Sequence, residues 1–201
     1  MGVLASIVDK SISGSFESEV FKIGDLAFYQ CSKLTSVSFP KATSIGILAF
    51  SYCSSLTSVS FPKATSIGRD AFSYCSRLTS VSFPNATSIG DSAFQSCKGL
   101  TEVSFPNATS IGRDAFSFCS SLTSVSIPNA TSIGNYAFYN CKSLTTIYVG
   151  TESDTVCTLS NTVAFNGCNK LTNIYVPASL VDSYKSATNW SKYASKIKAT
   201  P

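Results

Sequence analysis

The stretch Ile45-Gly-Ile-Leu-Ala-Phe-Ser-Tyr-Cys-Ser-Ser-Leu-Thr-Ser-Val-Ser-Phe-Pro-Lys-Ala-Thr-Ser66 decides the fold, because residues 67–88 repeat it almost letter for letter. Outward from it, Cys31, Cys53, Cys75, Cys97, Cys119 and Cys141 each follow the last by 22 residues. Ile-Gly pairs from Ile23-Gly24 to Ile133-Gly134 keep the same step, as do Pro40, Pro62, Pro84, Pro106 and Pro128. A seventh, weaker copy runs through Ala164-Phe165, Cys168, Leu171, Ile174 and Val176-Pro177, its cysteine 27 residues after Cys141. That offset places an insertion of about five residues at about 150–163. A fixed period of this length signals a solenoid, in which each coil covers the apolar face of its neighbours.

Within one unit, Leu34, Val37 and Phe39 are spaced so that the last two share one face of a short strand. Thr35, Ser36 and Ser38 fall beside them as small polar groups for the solvent side. Pro40 ends the strand, since it has no N–H for the ladder, and Ala42 through Ser44 supply a turn. Ile45 turns inward, and Gly46 is expected in a backbone conformation closed to other residues. Ala49 and Phe50 are expected in a short helical turn that drops Phe50 into the core, with Cys53 on the same side. Register then makes ladders of identical side chains: Cys31, Cys53, Cys75, Cys97, Cys119, Cys141 and Cys168, and Phe50, Phe72, Phe94 and Phe116.

The signature Ile-Gly-x-x-Ala-Phe-x-x-Cys-x-x-Leu-Thr-Ser-Val-Ser-Phe-Pro, present in copies from 23 to 177, closely resembles the BspA-like branch of bacterial leucine-rich repeats. The resemblance implies a right-handed α/β solenoid of about seven 22-residue coils. Its parallel sheet would lie on one face and short helical turns on the other, with capped ends. It also implies a cell-surface or secreted location, surface adhesins being the better-known relatives, and a host or extracellular protein as partner.

Both ends break the period. Residues 1–22 read as an N-terminal cap, with Leu4-Ala-Ser-Ile7-Val8 as a degenerate strand and Ser11–Glu19 as a loop. Residues 178–201 read as a helical C-terminal cap after the solenoid of residues 23–177. There, Val181, Tyr184 and Ala187 fall on one helix face, and Trp190, Tyr193 and Ile197 continue with helical spacing beyond a break near Asn189. Trp190 is expected as a core plug, and Lys185, Lys192, Lys196 and Lys198 as a solvated face. Two caps argue for a monomer. The opening Met1–Ser6 carries no basic residue and too short an apolar stretch for a signal peptide, which leaves a trimmed chain or export by another route.

Composition narrows the chemistry. The 201 residues contain no histidine, which removes Ser-His-Asp and Cys-His catalysis and any His-containing metal site. The net charge of +4 is spread thinly over a chain that is 13% charged, unlike a nucleic-acid footprint. No run approaches the ~18 apolar residues of a membrane helix. The eight cysteines include no C-x-x-C pair for zinc, and a register-matched column reads as buried thiols rather than disulfides. Cys157, in the insertion, is the cysteine expected to be exposed. Asn85, Asn107 and Asn129 open glycosylation triplets, but Lys41 and Lys63 hold the same slot, so they read as turn residues. Glu152 and Asp154 are too few for calcium. Asp70, Asp91 and Asp114 read as surface partners of Arg69 and Arg113. No catalytic constellation and no cofactor site emerge.

Binding is what remains, on the broad face that stacked coils create. The Ser36 column changes to Glu102, Thr146 and Asn173 toward one end, and the Ser38 column runs through Ser104 and Ser126 to Tyr148 and Tyr175. These residues are the candidate protein-binding site, with the two tyrosines as anchors. The alternatives are a carbohydrate-binding module using the aromatics Tyr29, Tyr52, Tyr74, Phe118 and Tyr139, or a structural spacer in a larger surface or phage-tail assembly.

Overall fold

A computed structural model describes residues 20–150 and 154–201 in full and residues 2–4 and 14–15 by backbone alone. The strands are β1 (Gly2–Leu4), β2 (Gly14–Ser15), β3 (Val20–Ile23), β4 (Ser36–Ser38), β5 (Ser44–Ile45), β6 (Ser58–Ser60), β7 (Ser66–Ile67), β8 (Ser80–Ser82), β9 (Ser88–Ile89), β10 (Glu102–Ser104), β11 (Ser110–Ile111), β12 (Ser124–Ile127), β13 (Ser132–Ile133), β14 (Thr146–Val149), β15 (Thr158–Leu159), β16 (Asn173–Val176) and β17 (Ile197–Ala199). Among the described residues the strand pairings are parallel and join residues one coil apart, as in Ser58↔Ser80 and Ile67↔Ile89. The chain is therefore a parallel β-solenoid.

Three sheets carry the strands, where the sequence pointed to one. Strands β4, β6 and β8 line one side with β2, and β10, β12, β14, β16 and β17 continue that side as a separate ladder. A second side holds the eight-stranded order β1-β3-β5-β7-β9-β11-β13-β15. Its strands are two-residue Ser-Ile pairs in most coils, where a turn was expected, and its count gives about eight coils instead of seven. The extra coil comes from β1, which lies at Gly2–Leu4. Gly14–Ser15 is a strand inside the stretch read as a loop, while Ile7, Val8 and Glu152 lie outside the described residues.

The third side is made of turns, and they are not helical. Six successive coils, from Leu26 to Asn140, each place two non-glycine residues in the left-handed region there, for instance Leu48 at φ 57° and Tyr52 at φ 60°. This conformation costs an L-residue about 1–2 kcal/mol, and inter-coil hydrogen bonds hold it. The N–H groups of Leu48, Phe50 and Tyr52 donate to the carbonyls of Arg69, Ala71 and Ser73 at 2.9, 2.7 and 2.9 Å. Gly46 and its successors do not take a left-handed backbone. A Cβ on Gly68 would sit 2.7 Å from the Gly46 carbonyl carbon, so the column is glycine because neighbouring coils approach too closely for a side chain.

Inside, the ladders are complete. Phe50 and Phe72 stack at 5.1 Å and 1°, and the column continues through Phe94, Phe116, Phe138 and Phe165. Each fully buried phenylalanine contributes roughly 1.5–3 kcal/mol through burial. The thiols of Cys53, Cys75, Cys97, Cys119, Cys141 and Cys168 each donate to a phenylalanine carbonyl of the preceding coil at 3.0–3.2 Å. All eight cysteines are buried, and none is in a disulfide.

Cys157 is buried too, contrary to its expected exposure. The C-terminal segment covers it: Trp190 Nε1 donates to the Cys157 carbonyl at 2.6 Å, and the Cys157 N–H donates to the Tyr184 hydroxyl at 2.9 Å. That segment is helical only in part. It comprises helix α1 (Val181–Ser186) and 3-10 turns at Ala178–Leu180 and Ser191–Lys196, whereas Ile197 belongs to β17, which pairs with β16. Three of its four lysines are not a merely solvated face. Lys192 reaches the Thr162 carbonyl at 2.9 Å, Lys196 the Leu171 carbonyl at 2.6 Å, and Lys198 the Asn173 amide oxygen at 2.6 Å.

Candidate functional site

The β4/β6/β8 and β10–β17 ladders form one long face. In β4, β6 and β10 the middle residue, Val37, Val59 or Val103, points inward and the flanking pair points out, and β12, β14 and β16 continue the alternation. Register joins Ser104, Ser126, Tyr148 and Tyr175 into one outer column and Ser124, Thr146 and Asn173 into its neighbour, which Glu102 begins. The structure thus places all seven candidate partner-binding residues on adjacent columns of one ladder. Tyr148 and Tyr175 stack at 4.9 Å and 23°, and both are half-buried. Asn173 is engaged by Lys198, so its amide oxygen is turned to the terminal segment.

Two threonine columns frame the coils. Thr57, Thr79, Thr123 and Thr145 donate their hydroxyls to the threonine carbonyl one coil back, at 2.9–3.1 Å. Thr65, Thr87, Thr109 and Thr131 do the same beside the second sheet. Asn85, Asn107 and Asn129 donate to Pro62, Pro84 and Pro106 carbonyls at 2.6–2.8 Å. They are cross-links between coils, which explains the residue type beyond a turn preference. These bonds fix the face as a rigid surface.

The other half of the face holds a hollow that the sequence did not point to. The Ser-Val-Ser triplets of β4, β6 and β8 line a shallow depression of about 400 Å³. It ends where the ladder is interrupted between β8 and β10. There Val81 is half-buried, unlike Val59 and Val103, and the Phe83–Phe105 rings are 6.1 Å apart against 5.4 Å for Phe61–Phe83. Identical Ser-Val-Ser letters in β4, β6 and β8 carry no mark of this gap.

Asp25, Asp70, Asp91 and Asp114 make contacts within and between coils. Arg69 and Asp70 pair at 3.7 Å and Arg113 and Asp114 at 3.1 Å, in the same coil. Asp91 does not pair with a guanidinium as expected: its Oδ1 accepts the Arg113 backbone N–H at 2.8 Å, as Asp25 accepts that of Ile47 at 2.7 Å. Burial raises the Asp70 carboxyl above its ordinary range, against the opposing pull of Arg69. Among the described residues, no group of three or more cysteine, aspartate or glutamate side chains is arranged to hold a metal. No helix among them is long and apolar enough to cross a membrane.

On the turn side, Tyr52, Tyr74 and Phe118 are each more than 40% exposed. Tyr52 and Tyr74 stack at 4.6 Å and 3°, Tyr29 meets Tyr52 edge-on at 6.1 Å, and Phe118 meets Tyr139 edge-on at 5.4 Å. Beneath them Ser51 and Ser73 are buried and share a hydrogen bond of 2.8 Å.

A family model described as the BspA type leucine rich repeat region matches residues 10–109 and 87–198, in six copies. Comparison with curated proteins found no match. Among solved structures, a leucine rich cell surface protein from Faecalibacterium prausnitzii is 35% identical with a TM-score of 0.68, over 77% of this chain and 42% of its own. A leucine-rich repeat protein from Bacteroides ovatus is 25% identical with a TM-score of 0.56, over 87% of this chain and 60% of its own. The chain thus spans about half the length of these two. A leucine rich repeat protein from T. pallidum, 23% identical with a TM-score of 0.59 over 99% of this chain and 91% of its own, shares the fold.

Proposed function

The chain belongs to the BspA-type leucine-rich repeat family, and from that premise we propose that it is a non-enzymatic interaction module, of adhesion type, that displays its Ser/Thr-rich solenoid face to a protein partner at a bacterial surface. The observation that carries this reading is the long outer face of aligned columns, on which Ser104 and Ser126 lead to the stacked pair Tyr148 and Tyr175. Tyrosine supplies apolar area and a hydroxyl at low entropic cost, which is why it recurs at binding hot spots. The scaffold beneath is already ordered by inter-coil hydrogen bonds, so docking loses little conformational entropy. The cell-surface description of the Faecalibacterium protein supports an extracellular or cell-surface setting.

A solid-phase screen of the labelled chain against extracellular-matrix proteins and intact host cells tests the proposal. The expected result is a saturable protein hit that is lost in the Tyr148→Ala, Tyr175→Ala double variant. Binding retained by that variant would remove the pair from the site, and silence on every protein surface would contradict the module itself.

A further inference from the structure

We propose that the corner between the strand face and the second sheet carries a groove for a glycan whose sugars bear a carboxylate, as uronic acids do. Thr43, Lys63, Thr65, Asn85, Thr87 and Asn107 line a groove of about 560 Å³ there. That volume lies within the roughly 300–1,000 Å³ of ordinary ligand sites. The triplets Lys63-Ala-Thr65 and Asn85-Ala-Thr87, between β6 and β7 and between β8 and β9, build it. The outer residues of each triplet are exposed while Ala64 and Ala86 are buried, so two columns of polar side chains rise on either side of a bare floor. Three coil steps of ~4.8 Å give the groove a length of roughly 14 Å along the stacking axis. It stops before Asn129, which is half-buried.

The hydrogen bonds between coils decide what the groove can accept. The hydroxyls of Thr43, Thr65 and Thr87 donate to the carbonyls of Phe21, Thr43 and Thr65 at 3.0, 3.3 and 3.0 Å. A hydroxyl has one proton, so each threonine offers only lone pairs to an occupant, held in a fixed direction. Asn85 and Asn107 donate one amide proton each to the Pro62 and Pro84 carbonyls at 2.6 and 2.8 Å, which orients the amides and leaves their oxygens as further acceptors. A fixed row of acceptors suits an occupant rich in hydroxyl donors. No aromatic ring lines the groove, so stacking on a sugar face supplies nothing, and charge is the remaining source of affinity. Lys63 supplies it: the side chain is exposed and forms no ion pair among the described residues, and no carboxylate lines the groove. An ammonium among hydroxyl acceptors matches a carboxylate among sugar hydroxyls, joined by a charge-assisted hydrogen bond. The groove lies in coils that precede β12, away from Tyr148 and Tyr175, and does not rest on the protein-interaction reading.

Trigalacturonic acid titrated into the full chain, followed by amide NMR shifts, tests the groove, with maltotriose and inorganic sulfate as controls. Saturable shifts centred on Lys63, Thr65, Asn85, Thr87 and Asn107 are expected with the acidic trisaccharide and with neither control. Lys63→Asn removes the charge and installs the residue that the same slot already carries at 85 and 107, so folding is preserved; it should weaken binding at least fivefold. Lys98→Gln, an exposed lysine outside the groove, should leave binding unchanged. Four results would overturn the proposal: no saturable shift at these amides, equal shifts with maltotriose or with sulfate, undiminished binding in Lys63→Asn, or equal weakening in Lys98→Gln. Each leaves the screen of the Tyr148/Tyr175 face untouched, so the two readings fail separately.

Discussion

Gly68 shows how tightly one residue is constrained by the coil beside it. A Cβ there meets the Gly46 carbonyl carbon and oxygen at 2.7 Å, backbone atoms with no flexible end to give way. Gly68→Ala is expected to destabilise the chain by about 1–3 kcal/mol, the range for overpacking, read as a lower urea midpoint; an unchanged midpoint would contradict the close approach. The recurrence of this glycine was legible in the sequence, but its reason was not, because a 22-residue step gives no distance between coils. The left-handed residues were hidden for the opposite cause: Leu48, Tyr52 and Phe118 have no intrinsic preference for that region, and only the inter-coil hydrogen bonds impose it. The cysteines make a second prediction. Burial pushes the thiols of Cys53, Cys119 and Cys157 up to about 12, and those of Cys75, Cys97 and Cys141 upward as well, from an ordinary 9.0. Above 9.0 the unfolded chain has released these protons and the folded chain has not. Stability is therefore level below that pH and falls above it by about 1.4 kcal/mol per unit for each thiol, as pH rises toward 12. The urea midpoint should hold from pH 7 to 8.5 and drop steeply between 9.5 and 11; a flat profile would contradict the buried thiol column.

At the scale of elements, the C-terminal segment closes an edge that the repeat leaves open. Strand β15 ends the eight-stranded sheet, and the carbonyls of Cys157, just before it, and of Leu159 are taken by Trp190 Nε1 and Asn189 Nδ2 at 2.6 and 2.7 Å. Trp190 is wholly buried and contacts Phe165 and Tyr184. Trp190→Phe keeps most of the apolar volume and removes the donor, so it should cost about 1–3 kcal/mol by stranding a buried carbonyl. Hydrogen exchange should accelerate in β15 and the adjoining β13 more than in β5–β9; a uniform change along the chain would contradict the local role. Trp190 as a plug and Tyr184 on its helix face were legible from apolar spacing. The strand at Ile197–Ala199 was not, since Trp190, Tyr193 and Ile197 fit a helical period equally well. Nor were the two-residue strands of the second side, because Ser44-Ile45 is too short to display alternation.

Across the whole molecule, a repeat that can be read in one line of sequence becomes a surface only when every coil is in register. The periods of Cys, Phe and Ile-Gly placed the core, and the departures from period at Glu102, Thr146, Tyr148, Asn173 and Tyr175 were visible as letters. What the letters could not carry was the interruption between β8 and β10, a property of how neighbouring coils sit. The stacked tyrosines stand on β14 and β16, at the end of the face where serine columns give way to larger side chains. The role of this face is tested by the affinity of the chain for its protein hit, set beside that of the Tyr148→Ala, Tyr175→Ala variant with its melting temperature checked. The expected result is at least a hundredfold loss of affinity, about 2.7 kcal/mol, with folding preserved. Equal affinity in a folded double variant would contradict the placement of the partner on this face.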